Sequence, residues 1–92
     1  MLIAPYAWQC QPVANVDGIK IRFYAREHPP PHFHAMFAEF GARIDIASLR
    51  VLSGRLPPAK LAKVLSWAEP RKQALLNTWQ EIRAKNRPNK IP

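Results

Sequence analysis

Pro29, Pro30 and Pro31 stand in the middle of a chain whose flanking segments alternate apolar and polar residues. Three successive prolines fix φ, remove three amide donors and bias each preceding residue away from helix. Residues 26–31 must therefore form an extended or turning connection, and the alternating segments on its two sides must be separate strands. Before it, Ile19, Ile21 and Phe23 alternate with Lys20, Arg22 and Tyr24, following an Asp17-Gly18 turn signal. After it, Phe33, Ala35 and Phe37 oppose His32, His34 and Met36; beyond Glu39-Phe40-Gly41, Ala42, Ile44 and Ile46 oppose Arg43 and Asp45.

A tight turn over residues 38–41 predicts a register in which Phe37 faces Ala42, Ala35 faces Ile44 and Phe33 faces Ile46. On the other side Met36 then faces Arg43, and His34 faces Asp45. Both faces are chemically consistent, and a one-residue slip would scramble them. Val51-Leu52 offers a fourth short strand before Gly54, and Tyr6 with Trp8 could begin another in an otherwise weakly patterned N-terminus.

From Leu56-Pro57-Pro58 the period changes. Leu61, Val64, Leu65 and Ala68, then Leu75, Leu76, Trp79 and Ile82, recur at helical spacing. Pro58 suits a first turn, whereas Pro70 predicts a kink or short break between a helix over 58–69 and a second over 70–85. The expected fold is α+β: a three- or four-stranded, mainly antiparallel sheet followed by two C-terminal helices packed on its apolar face. Ninety-two residues make a single domain. It is divided into a variable segment 1–17, a β-meander 18–54, a helical part 57–86 and a basic, frayed tail 87–92. Trp67 and Trp79 fall on or beside the helix stripes and read as core.

Charge is unevenly placed. Residues 1–49 balance Lys20, Arg22, Arg26 and Arg43 against Asp17, Glu27, Glu39 and Asp45, so the whole net charge of +8 lies in residues 50–92. Such asymmetry points to an anionic partner, nucleic acid or a small acidic protein, although it also serves to solvate exposed helix faces. The single cysteine, Cys10, excludes an internal disulfide and a cysteine-based zinc site. With no basic leader and no apolar run of roughly 20 residues, a cytoplasmic protein with no membrane role is expected. A homodimer would be one way to add core to so short a chain.

The histidines carry the chemical interest. His32 and His34, two apart on a strand, point to one side, and His28 lies just upstream across the rigid turn. A divalent transition metal is the cofactor these three would take, with Asp45 or Glu27 completing the site. Alternatively, Arg22, Arg26 and Arg43 could hold phosphates while Tyr24 and His32 or His34, oriented by Asp45, move a proton, as in a small ribonuclease. A third reading, preferred on the residues alone, is binding without chemistry. The turn is then a recognition element, and Arg22, Arg26, His28, His32, His34 and Arg43 form the contact surface for nucleic acid or a partner protein. The histidines could also simply bond to carbonyls of a proline turn poor in amide donors, as a latch.

The segment Arg26-Glu27-His28-Pro29-Pro30-Pro31-His32-Phe33-His34-Ala35 resembles the Arg-Glu-His-x-Pro-Pro-His-Phe-His-Ala motif of the bacterial domain-of-unknown-function family 4160. The similarity continues through Ile44-Asp45-Ile46, Gly54-Arg55-Leu56-Pro57, Trp67-Ala68-Glu69 and Leu75-Leu76-Asn77-x-Trp79, covering roughly residues 18–82. It departs from the family at Pro70, where members have a helix-compatible residue, and in its longer N-terminus. The resemblance implies a small prokaryotic cytoplasmic protein without an agreed activity. Members are often encoded beside another small protein in arrangements like toxin–antitoxin pairs.

Overall fold

The computed structural model describes residues 10–84 and 90–92. Five strands, β1 (Cys10–Val16), β2 (Ile19–Tyr24), β3 (His32–Phe37), β4 (Phe40–Asp45) and β5 (Val51–Arg55), form one antiparallel meander in chain order. Two helical segments follow, α1 (Pro58–Ala68) and α2 (Lys72–Arg83). The α+β class is as expected, but the sheet has five strands rather than three or four. Among the described residues no helix is long and apolar enough to cross a membrane.

The additional strand is β1. Pro12 and a register shift between Pro12 and Ala14 break its alternation, and both features are tolerated at a sheet edge, where a missing amide costs no ladder bond. Among the described residues the sheet thus reaches back to Cys10, inside the segment expected to be variable. The Tyr6 and Trp8 strand lies outside the described residues. Asp17 (φ 52°) and Gly18 (φ 84°) are both left-handed and close the first hairpin, the backbone that Asp-Gly favours in two-residue turns.

The predicted faces of β3 and β4 are correct, and their predicted register is not. Phe37 pairs with Phe40, Ala35 with Ala42, His34 with Arg43, Phe33 with Ile44 and His32 with Asp45. The turn holds only residues 38 and 39, with Ala38 at φ 52°. Gly41 lies in the strand rather than the turn. It sits under Met36, whose terminal atoms would be 3.0 Å from a Cβ there.

The helices are joined without a loop. A single 3-10 turn, Glu69–Arg71, connects α1 to α2, so the expected pair of helices is one kinked helical run. Pro70 occupies the start of that turn, where no amide is needed. Val64, Ala68, Leu75, Trp79 and Ile82 bury themselves with Ile19, Ile21, Phe23, Phe33, Ala35 and Ile44 in one core. Helix α2 stops at Arg83, short of the expected residue 85. The terminus is not frayed at its described end: Ile91 is buried and its amide donates to the Val13 carbonyl at 2.7 Å. The Pro92 carbonyl accepts from Trp67 Nε1 and Arg71 Nε, each at 3.0 Å.

Candidate functional site: a carboxylate between two histidines

Arg26, at φ 66°, turns the chain after β2, and Glu27 then reaches back to β3. Its Oε1 lies 2.9 Å from His32 Nε2 and 2.5 Å from His34 Nε2. The three possible ligand atoms all lie within 4.8 Å of one another. His28, the third histidine expected at a metal, is exposed and outside this cluster. Of the two carboxylates expected beside the histidines, Glu27 rather than Asp45 lies in the cluster. Arg26 is likewise exposed and outside the cluster.

His32 and His34 share a strand face but not an environment. His32 is 1% exposed, with the Trp79 ring 5.1 Å from its own. Its Nδ1 donates to the Pro30 carbonyl at 2.8 Å, so the proline turn and α2 together enclose it. His34 keeps 16% and Glu27 27% of their side-chain surface, which makes them the solvent-facing mouth. Tyr24 meets the His34 ring edge-on at 4.4 Å. Arg22 on β2 and Arg43 on β4 are its direct cross-strand neighbours, and Arg43 Nε donates to Ser53 Oγ at 2.8 Å.

Asp45, expected to orient His34, pairs across the strands with His32 instead. Its Oδ2 accepts from both the amide and the hydroxyl of Ser48 at 2.7 Å. Those bonds hold its carboxyl below the usual range and commit it to the β4–β5 turn. Two further contributors carry no signal in the sequence. Arg83 Nη1 donates to the Glu27 carbonyl at 2.8 Å, and the Pro30 carbonyl anchors His32.

The electrostatics follow from burial against pairing. Burial would raise the Glu27 pKa, but hydrogen bonds from His34 and His32 and their attraction outweigh it and hold it below its usual value. For His34 burial dominates and lowers the pKa; Glu27 opposes this, and the charges of His32 and Arg43 add to the lowering. An ionised carboxylate beside a neutral imidazole is the resulting state near neutral pH.

Fold and site together define a small α+β protein that exposes one edge of a carboxylate–bis-histidine cluster beside two sheet arginines. The chain belongs to the family described as Domain of unknown function (DUF4160), whose model matches residues 18–80. That span holds every member of the cluster. No curated protein and no solved structure is detectably similar to it.

Proposed function

We propose that Glu27, His32 and His34 form a transition-metal centre and that the protein works through the bound ion. The observation that carries this reading is the tethering of His32. Its Nδ1 donates to the Pro30 carbonyl at 2.8 Å, which leaves Nε2, aimed at Glu27 Oε1 2.9 Å away, as the nitrogen open to a metal ion. A proton bridges that N···O pair in the metal-free protein, and a metal ion would take its place between the two atoms. A backbone carbonyl on the far nitrogen is the usual means of orienting a metal-ligating imidazole. Two imidazoles and one carboxylate, with a mouth open to solvent, suit zinc, iron or nickel and leave room for water or a ligand.

Titration of zinc into chelator-treated protein tests this. Wild type and His28→Ala should bind one equivalent alike. Glu27→Gln and His34→Ala should each bind at least roughly ten-fold more weakly. Equal affinity in all four proteins would remove the reading.

A second reading is favoured by the close approach of Glu27 to His34, 2.5 Å. The cation between carboxylate and imidazole is then a proton, and His34, flanked by Tyr24, Arg22 and Arg43, is an acid–base group acting on a phosphate ester. Growth arrest on expression, relieved by His34→Ala, would support this reading. An unchanged growth curve with the wild type would count against it.

A further inference from the structure

A groove of about 490 Å³ runs along β1 and β2 beside the C-terminal residues, lined in part by Asn15, Lys20, Arg22, Lys90 and Ile91. That volume lies within the range of sites that hold small organic ligands. Among the described residues its charged lining is three cations, Lys20, Arg22 and Lys90, and no acid. Lys20 and Arg22 are two apart on one strand, which sets them roughly 6.6 Å apart along it. That is close to the pitch of one nucleotide in an extended single strand. Tyr24 continues the same row at the next alternate position and meets His34 at 4.4 Å. Arg22 belongs to both places, since it lines the groove and is the cross-strand neighbour of His34.

We infer that this groove binds the phosphodiester backbone of a single-stranded nucleic acid, with Lys20, Arg22 and Lys90 meeting successive phosphates and the strand leading toward Tyr24 and His34. The cation row accounts for the backbone, and the aromatic ring at its end gives a base a surface to stack on. A duplex is disfavoured because the groove follows a sheet edge, with no helix or ribbon of the described residues projecting from it to enter a duplex groove. An extended acidic peptide would match the charges and the pitch, its alternate side chains having the same spacing, but would offer no base to stack on the aromatic end. The inference stands on the groove's own charges and geometry, independently of whether the histidine cluster holds a metal.

The test is fluorescence anisotropy of the intact protein with a fluorescein-labelled oligouridylate of roughly ten nucleotides over a range of salt concentrations. Lys20→Ala with Lys90→Ala should flatten the dependence of log K on log salt by about 0.7 for each lysine removed. Lys63→Ala with Arg50→Ala, an equal loss of charge at other exposed positions, should leave the slope unchanged. Thermal melts of both double variants establish that each remains folded. Equal slopes for the two variants would overturn the inference, as would competition by duplex or by polyglutamate as effective as that by unlabelled single strand. Binding lost only in the groove variant, together with unaltered zinc affinity there, supports it and separates it from the metal reading.

Discussion

Arg83 and Glu27, 56 positions apart, are joined by a hydrogen bond from the Arg83 guanidinium to the Glu27 carbonyl at 2.8 Å. The end of α2 therefore fixes the backbone of the turn whose carboxylate lies between His32 and His34. The Arg83 guanidinium also stacks over Trp79, 5.5 Å from the ring centre, and Trp79 in turn covers His32. The helical run is thus a support for the cluster as well as a lid on the core.

Removing that support should loosen the site more than the fold. Arg83→Ala is expected to lower stability by about 1 kcal/mol, the ordinary worth of one hydrogen bond. Zinc affinity should fall by roughly ten-fold, as for other groups that orient ligands without touching the ion. Calorimetric zinc titration beside a urea melt measures both. A variant that binds zinc like wild type would show that Arg83 does not position Glu27.

The two cluster histidines should separate cleanly in stability. His32 is fully buried with both ring nitrogens engaged, so His32→Ala leaves a cavity and an unpaired Pro30 carbonyl. A loss of about 2–4 kcal/mol is expected. His34 retains 16% of its surface, and His34→Ala should cost no more than about 1 kcal/mol. Urea unfolding of metal-free protein compares them, and equal losses would contradict the asymmetry.

Acidification should destabilise the metal-free protein in two stages. The pKa of His34 in the folded state lies below its ordinary 6.5, so from there downward the unfolded chain takes up the proton first and stability falls. Glu27, held below 4.5, adds a second loss at lower pH as its carboxylate is protonated. NMR titration of the His34 ring should give a midpoint under 6.5. Because Glu27 opposes the shift, Glu27→Gln should move the midpoint lower still. A midpoint raised by that substitution would contradict the electrostatic account.

Gly54 has φ 75° and a Cβ there would stand 2.1 Å from the Gly41 carbonyl oxygen. Gly54→Ala therefore meets both a left-handed backbone and a main-chain clash across β4 and β5. A loss of at least about 2 kcal/mol is expected in thermal or urea unfolding, and a neutral result would show that β5 can shift away from β4.

The sequence made some of this legible for physical reasons. Alternation of period two exposed β2, β3 and β4 and assigned Ile21, Phe33 and Ile44 to the core. The same period hid the true register, because a shift of two residues preserves both faces and only turn length distinguishes the alternatives. Gly41 resembled a turn glycine but is a packing glycine under Met36. β1 was invisible because Pro12 and the bulge at Val13 interrupt its pattern. Within the proline turn no period exists, so nothing in the sequence showed that Glu27 rather than His28 faces the other histidines. Arg83 could not be found at all, since its partner is a backbone carbonyl 56 positions away.

The most direct measurement is elemental analysis of the full chain, expressed without an affinity tag and purified without chelators. About one equivalent of a single first-row transition metal per chain is expected, falling to background in Glu27→Gln and in His34→Ala. Background levels of zinc, iron and nickel in the wild type would contradict the claim that Glu27, His32 and His34 are a metal centre.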